Sequence, residues 1–145
     1  MTRLAALFAL PALFLAAPAS ALSLTAAQLG DIYCYARLSG DMAPVLAILT
    51  PELSALVAEH LPPGADAATA IPWQSSADYA NTCMPVGSSG TSDAPEIVIA
   101  FGYRDPDKPG YADRLVLRFV DQRIRIDDIA YGASGTLRQK LTASP

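Results

Sequence analysis

The chain has 145 residues, one His, two Cys and a net charge of −4, with 10 Lys and Arg against 14 Asp and Glu. This length fits a single domain, and 52% hydrophobic with 17% charged residues excludes a disordered chain. The acidic balance argues against nucleic acid as a partner, and one His with two Cys cannot build a usual zinc site, so we expect neither a metal nor a cofactor.

The first 21 residues have the pattern of a secretory signal peptide. Arg3 provides the positive start, residues 4–17 are apolar, and Ala19-Ser20-Ala21 is a small-x-small cleavage pattern. The apolar stretch is too short to span a bilayer, which takes about 20 residues. We therefore predict cleavage after Ala21. The remaining single domain, residues 22–145, is then periplasmic or secreted and does not span the membrane.

Both cysteines, Cys34 and Cys83, belong to the predicted mature chain. In an exported protein two cysteines allow one intramolecular disulfide, which here would tie the first helix to the segment before the sheet. A reactive thiol or a metal ligand is the alternative, but the sequence has no Cys-x-x-Cys and no adjacent His. We favour the disulfide because of the expected compartment.

The first half of the mature chain is predicted to be helical. A capping box at Thr25 and Gln28 starts the first helix, and Gly40 ends it. A short second helix over residues 44–49 and a third helix between Thr50 and Pro62 follow. These helices come before any predicted strand.

Residues 62–95 are rich in Pro, Gly, Ser, Ala and Asp and show little periodicity. We predict a long loop, with a short helix near Ser75–Asn81 and a flexible stretch at Gly87–Gly90. Loops of this length are uncommon inside a domain. We place no domain boundary here, because the segment contains Cys83 and the single Trp.

The second half is predicted to form antiparallel strands. Residues 97–101 are apolar on both faces, and half-buried strands with alternating residues follow over 114–119 and 123–131. Strict alternation would put Asp128 on the face of the preceding isoleucines, so we expect a β-bulge at Asp127-Asp128. The predicted class is α+β, with N-terminal helices packed on a curved antiparallel sheet.

Several stretches of the C-terminal half resemble a known superfamily. They are Tyr111–Leu117, Ile124–Ile129 and Leu137–Leu141, with Pro72-Trp73 and Asp78 as a weaker match. They are similar to small exported bacterial domains of unknown function in the nuclear-transport-factor-two-like (SnoaL-like, cystatin-like cone) superfamily. The resemblance implies a cone, in which helices wrap a curved sheet and leave a pocket at the open end. It transfers no catalytic residue, and the fold alone does not choose a function.

Two sets of side chains are candidates for a site in such a pocket. The first set combines neighbouring carboxylates, one of which could reach a pKa suited to acid–base catalysis, with a tyrosine: Asp127, Asp128 and Tyr131. We favour a structural role for the acids, in which they satisfy amides at the bulge or pair with Arg118 or Arg125. The second set is aromatic and would bind a ligand with an apolar body: Trp73, Tyr33 and Tyr103.

Three functions are compatible with these features. We favour an exported, non-catalytic module that binds a small molecule or an envelope protein, or that forms a homodimer through its sheet, because the sequence contains no complete catalytic constellation. The second is a small acid–base enzyme of the isomerase or hydratase type that uses Asp127 or Asp128. The third is an inhibitor or immunity-type protein that occludes a toxin or a lytic enzyme, which the acidic charge permits.

Overall fold

A computed structural model describes residues 24–143, and the predicted signal peptide lies outside them. The helices and strands are α1 (Ala26–Ser39), α2 (Ala43–Leu46), α3 (Pro51–His60), α4 (Ala67–Ala70), β1 (Thr82–Gly90), β2 (Pro95–Gly102), β3 (Tyr111–Val120), β4 (Arg123–Ala130) and α5 (Leu137–Ala143). The strands form one antiparallel sheet in the order β1-β2-β3-β4. The α+β class is confirmed, and the sheet is an open meander. None of the helices in the described residues is long and apolar enough to cross a membrane.

The ends of the first and third helices follow from their local sequence. The Thr25 hydroxyl accepts a hydrogen bond from the Gln28 amide, and the Gln28 side chain accepts one from the Thr25 amide, so the capping box is present. Gly40 ends α1 with a φ of 77°, a conformation that favours a residue without Cβ. Thr50 caps α3, and Pro51 occupies its first position.

The segment predicted as a long loop contains two elements that the sequence pattern concealed. The strand β1 lies at the edge of the sheet and includes the stretch Gly87–Gly90 that we expected to be flexible. Pro85 and the bulge that follows it are tolerated because an edge strand pairs on one side only. Most of the strand is exposed, so its sequence lacks the alternation of apolar and polar residues that would have identified it. The second element is α4, a single turn capped by Asp66. The helix expected near Ser75–Asn81 is absent. Backbone groups of Ser75, Ser76 and Asp78 bond to the side chains of Asp113 and Gln74 instead.

The β-bulge predicted at the two aspartates is present. Val116 pairs with Asp128 and Leu117 pairs with Ile126, so Asp127 is the extra residue on β4. The bulge shifts the alternation by one residue, and the isoleucines on both sides of it therefore lie in the core.

One hydrophobic core lies between the sheet and the helices. Helix α1 packs on β1 and β2, whereas α3 and α5 pack together against β4. Gly30 permits the close approach of α1, because a Cβ at this position would lie 3.0 Å from the Cβ of Pro85. The predicted second helix is shorter than expected, because the chain becomes extended at Leu49 to bridge Ile126 of β4.

Cys34 and Cys83 form the predicted disulfide bond, with their Cα atoms 5.2 Å apart. The bond joins α1 to β1, so Cys83 lies within the first strand and not in a segment before the sheet. A disulfide indicates a non-reducing compartment. Signal cleavage and export stay predictions.

We expect the double variant Cys34→Ser/Cys83→Ser to lose about 2–4 kcal/mol of unfolding free energy, because its unfolded chain gains the freedom of an open loop. Urea denaturation followed by circular dichroism measures the loss. A reductant should destabilise the wild-type protein by a similar amount and leave the double variant unchanged. Equal stability of the two proteins under oxidising conditions would contradict a stabilising disulfide.

Candidate ligand-binding site

Residues 71–79, between α4 and β1, form neither helix nor strand and lie against the core. We call them the pinned segment. Such a segment has no hydrogen-bond ladder of its own, so its backbone groups need partners elsewhere. Buried side chains from other elements bind the segment. Tyr33 of α1, Asp113 of β3 and Tyr131 after β4 bond to its backbone, and Arg37 of α1 bonds to the Gln74 side chain.

Two tyrosine hydroxyls hold the beginning of the pinned segment. Tyr33 donates to the carbonyl of Trp73, and Tyr131 donates to the carbonyl of Pro72. Both tyrosine rings are buried, and burial raises the pKa of each hydroxyl above its usual value. Both hydroxyls are protonated donors at neutral pH, as tyrosines normally are, and burial extends this to higher pH. The indole of Trp73 also donates, to the carbonyl of Ala67 at 2.7 Å.

Arg37 is a buried cation whose hydrogen-bond partners are all neutral. Its side chain is 4% exposed. One terminal nitrogen donates to the Gln74 side chain at 2.8 Å, and the other donates to the Ala68 carbonyl at 3.3 Å and the Tyr79 hydroxyl at 3.2 Å. Its Nε has no hydrogen-bond partner among the described residues, and none of the ion pairs within residues 24–143 includes Arg37. Burial of an unpaired charge is costly.

A cavity of about 330 Å³ lies beside this guanidinium, and we call it the Arg37 cavity. Ile71, Pro72 and Trp73 give it apolar walls. Its remaining lining includes polar side chains and two cations, at Gln74, Ser75, Ser76, Tyr79, Arg37 and Lys140. Within the described chain no acidic side chain lines it, although the whole protein is acidic. The cavity is therefore a locally positive site.

A second cavity, of about 500 Å³, shares Ser75 and Ser76 with the first. We call it the Tyr111 cavity. Three tyrosines line it, namely Tyr103, Tyr111 and Tyr131. The Tyr111 ring stacks on Phe101, and burial raises the pKa of its hydroxyl. The pinned segment thus contributes to the walls of two cavities.

Asp113 is a buried carboxylate that the sequence analysis did not select. It is 1% exposed, and its Oδ2 accepts the Ser75 amide at 2.8 Å. Its Oδ1 has no hydrogen-bond partner in the part of the chain that the structure describes. Burial raises the pKa of this carboxyl, and the hydrogen bond from Ser75 opposes the rise. The alternation of β3 was the available signal, because it places Asp113 on the face of Leu115.

Arg37 was also missed. It follows the buried Leu29 and Tyr33 at a spacing of four residues, which places all three on one face of α1. A charged residue at the end of an apolar helical face is usually interpreted as the boundary of that face. Here the guanidinium remains inside, because Gln74 and two oxygens accept from it.

The aspartates predicted as candidates lie in contacts that support α5, and neither lines the Arg37 or the Tyr111 cavity. Asp127 accepts from Arg138 at 2.8 Å and Thr50 at 2.9 Å, and it lies 3.1 Å from Arg118. Asp128 accepts the Arg138 amide at 3.0 Å near the start of α5. These contacts are structural, and we do not include either aspartate in the proposed site.

The aromatic residues predicted to bind a ligand do not line one common cavity. Trp73 lines the Arg37 cavity, whereas Tyr103 lines the Tyr111 cavity with its hydroxyl 3.2 Å from that of Ser76. Tyr33 is fully buried and lines neither cavity. Tyr131, predicted as the partner of the aspartates, lines the Tyr111 cavity and pins the segment.

We compared the chain with known proteins. No family model matches it, and no curated protein matches it. The solution structure of a SEC-C motif containing protein from Rhodopseudomonas palustris is similar, with 15% sequence identity and a TM-score of 0.44 over 68% of this chain and 71% of that chain. At this level, the similarity carries no argument about function.

The expected membership of the nuclear-transport-factor-two-like superfamily is wrong. The similar solved structure is a SEC-C motif containing protein, and neither sequence comparison supports the resemblance. Two of the stretches that suggested it, Tyr111–Leu117 and Ile124–Ile129, lie in half-buried strands, and antiparallel strands of unrelated proteins have comparable sequences. The sheet is an open four-stranded meander, and the implied cone is not confirmed.

We expect Asp113→Asn to change how stability depends on pH. Burial raises the folded-state pKa above the ordinary value of 3.8, so the folded wild type holds its proton more tightly and loses stability as pH rises above that value. Asn still accepts from Ser75 but cannot ionise, so its stability relative to wild type increases over this interval. Urea denaturation between about pH 3 and pH 7 measures the difference. The matched control is Asp31→Asn, at an exposed position, and a pH-independent difference for Asp113→Asn would contradict the prediction.

We expect Asp128→Ala to lower the unfolding free energy by about 1 kcal/mol, because the Arg138 amide loses its acceptor. Thermal or urea denaturation measures the change. Asp128→Asn keeps an oxygen acceptor and should lose less stability. An alanine variant as stable as wild type would show that this hydrogen bond does not support α5.

Proposed function

We propose that the protein is an exported, non-catalytic module that binds a small ligand in the Arg37 cavity. The pinned segment is the observation that carries the proposal. Nine residues without helix or strand are fixed by buried side chains around a cavity of about 330 Å³. Irregular segments positioned by a scaffold are frequent binding sites, and this volume is at the lower end of ordinary small-molecule sites.

The fixed geometry supports binding over a merely structural role for the segment. Tyr33, Cys34 and Arg37 lie on neighbouring turns of α1, and the disulfide ties this helix to β1, which begins shortly after the pinned segment. A cavity whose walls are already ordered loses little conformational entropy when a ligand enters.

Export is part of this proposal. The disulfide supports a non-reducing compartment. The apolar leader with its small-x-small pattern before Leu22 supports secretion to the periplasm or beyond, with cleavage after Ala21.

A second candidate function, acid–base catalysis, is favoured by one observation. Asp113 is a buried carboxylate with a raised pKa and, among the described residues, an unpartnered Oδ1. It lines neither cavity, but its hydrogen-bond partner Ser75 lines both. Groups of this kind are typical of general acids and bases. This candidate requires that Asp113→Asn still binds the ligand but no longer converts it, as followed by NMR of the ligand. Unchanged ligand in the presence of wild-type protein would exclude it.

We expect a ligand found by thermal-shift screening of a metabolite panel to be lost in Ala77→Trp. Ala77 is exposed and lines the Arg37 cavity, so an indole at this position fills the cavity without disturbing the core. A ligand at about 100 times its Kd stabilises the wild type by about 2.7 kcal/mol and raises its Tm. This rise should disappear in the variant.

The matched control is Ala58→Trp, at an exposed position of α3 that does not line the cavity. It should keep the rise in Tm. The proposal is wrong if no compound raises the Tm of the wild type, or if the rise persists in Ala77→Trp.

A further inference from the structure

We infer that the ligand of the Arg37 cavity is a small organic acid, whose carboxylate pairs with Arg37 and whose apolar body lies against Trp73. This inference rests on the proposed function and names its ligand class. Three features of the cavity carry it: the unpaired buried charge, the composition of the lining and the small number of free donors.

The first feature is the charge of Arg37. Three neutral acceptors bond its two terminal nitrogens, and the Tyr79 ring lies against the guanidinium. Among the described residues no carboxylate pairs with the charge, and the Nε–H has no acceptor. The cations that do form ion pairs in residues 24–143 are much more exposed than Arg37, with 31–48% of each side chain accessible. A buried guanidinium beside a cavity is stabilised by an anion that enters it.

The second feature is the lining. Lys140 adds a second cation to the wall, and its ammonium lies 4.2 Å from the centre of the Tyr131 ring. Lys140 also interacts electrostatically with Asp113, so the inference depends on Arg37. Asp113 itself does not line the cavity, and its Oδ2 is bonded to the Ser75 amide. An anion in the cavity therefore meets positive charge without a lining carboxylate from the described chain.

The third feature separates a carboxylate from a phosphate. Phosphate sites use several free backbone amides or cations around one group. The three hydrogen bonds of Arg37 leave two of its five N–H groups without an acceptor among the described residues, and Ile71, Pro72 and Trp73 add apolar walls to the cavity. Two free donors on one guanidinium match the two oxygens of a carboxylate, and the apolar walls fit a hydrocarbon body.

We expect the ligand to enter beside Tyr79. Its ring centre lies 4.7 Å from the guanidinium carbon of Arg37, and its hydroxyl donates to the Ala68 carbonyl at 2.6 Å. The Tyr79 side chain is half-exposed and lines the cavity. A ligand carboxylate therefore approaches Arg37 beside an aromatic ring that faces both solvent and the cation.

The test compares benzoate with benzamide, which have the same shape but differ in charge. Isothermal titration at low salt, with two-dimensional NMR of the protein to locate the contact, should give benzoate about tenfold or greater affinity over benzamide. Hexanoate should bind like benzoate, and inorganic phosphate should bind more weakly than either. The shifted resonances should be those of residues 68–79 and Arg37.

Arg37→Gln should reduce benzoate affinity at least about tenfold and leave benzamide unchanged. The matched control is Arg114→Gln, which removes the same charge from an exposed residue paired with Glu96 outside the cavity, and it should bind benzoate like wild type. If Arg37→Gln does not fold, the comparison of benzoate with benzamide on the wild-type protein decides alone.

The failures of the two proposals are distinguishable. Equal binding of benzoate and benzamide, both lost in Ala77→Trp, would overturn the carboxylate inference and leave the binding function intact. Preference for inorganic phosphate would also overturn it. If none of these probes binds, the carboxylate inference is wrong. The binding function is then tested separately by the wider thermal-shift screen.

Discussion

The backbone of the pinned segment lies beside the core without a hydrogen-bond ladder of its own, and the site depends on how this constraint is met. Tyr33 and Tyr131 donate to two consecutive carbonyls, and Asp113 accepts the amide that follows shortly after. The first contact is buried and the other two are part-buried. Loss of a buried contact leaves a polar group unsatisfied at a cost of about 1–3 kcal/mol. The shape of the Arg37 cavity is therefore set by side chains that belong to the sheet and to α1.

Two opposite charges lie in this core, and the structure holds them apart. Arg37 donates to the Gln74 side chain, whereas Asp113 accepts from the Ser75 amide. Two neighbouring residues of the pinned segment therefore bind the two opposite charges. Within the described residues each charged group still has one unpartnered polar atom. A core selected only for stability would pair these groups or replace them with apolar residues. Their separation is easier to understand if a ligand completes the hydrogen bonding of the cation.

Features fixed by a few neighbouring residues could be predicted from the sequence. The capping box at Thr25, the start of α3 at Thr50 and the bulge at Asp127-Asp128 each follow from local chemistry. The strand β1 could not be predicted, because its pairing with β2 and not its own alternation makes it a strand. The spacing of Arg37 in α1 and of Asp113 in β3 places both on the apolar face of their element. Their burial could not be predicted, because it depends on Gln74 and Ser75, which lie in a segment without helical or strand periodicity.

The disulfide connects the compartment with the site. Cys34 lies between Tyr33 and Arg37 in sequence. The disulfide bond is therefore attached to the helix that provides two of the four side chains that hold the pinned segment. Its other end enters β1 just after the pinned segment, and the bond thereby limits how far this segment can move away from α1. A small domain of this kind needs such a constraint, because the polar groups that shape its cavity add little to the hydrophobic stabilisation of the core.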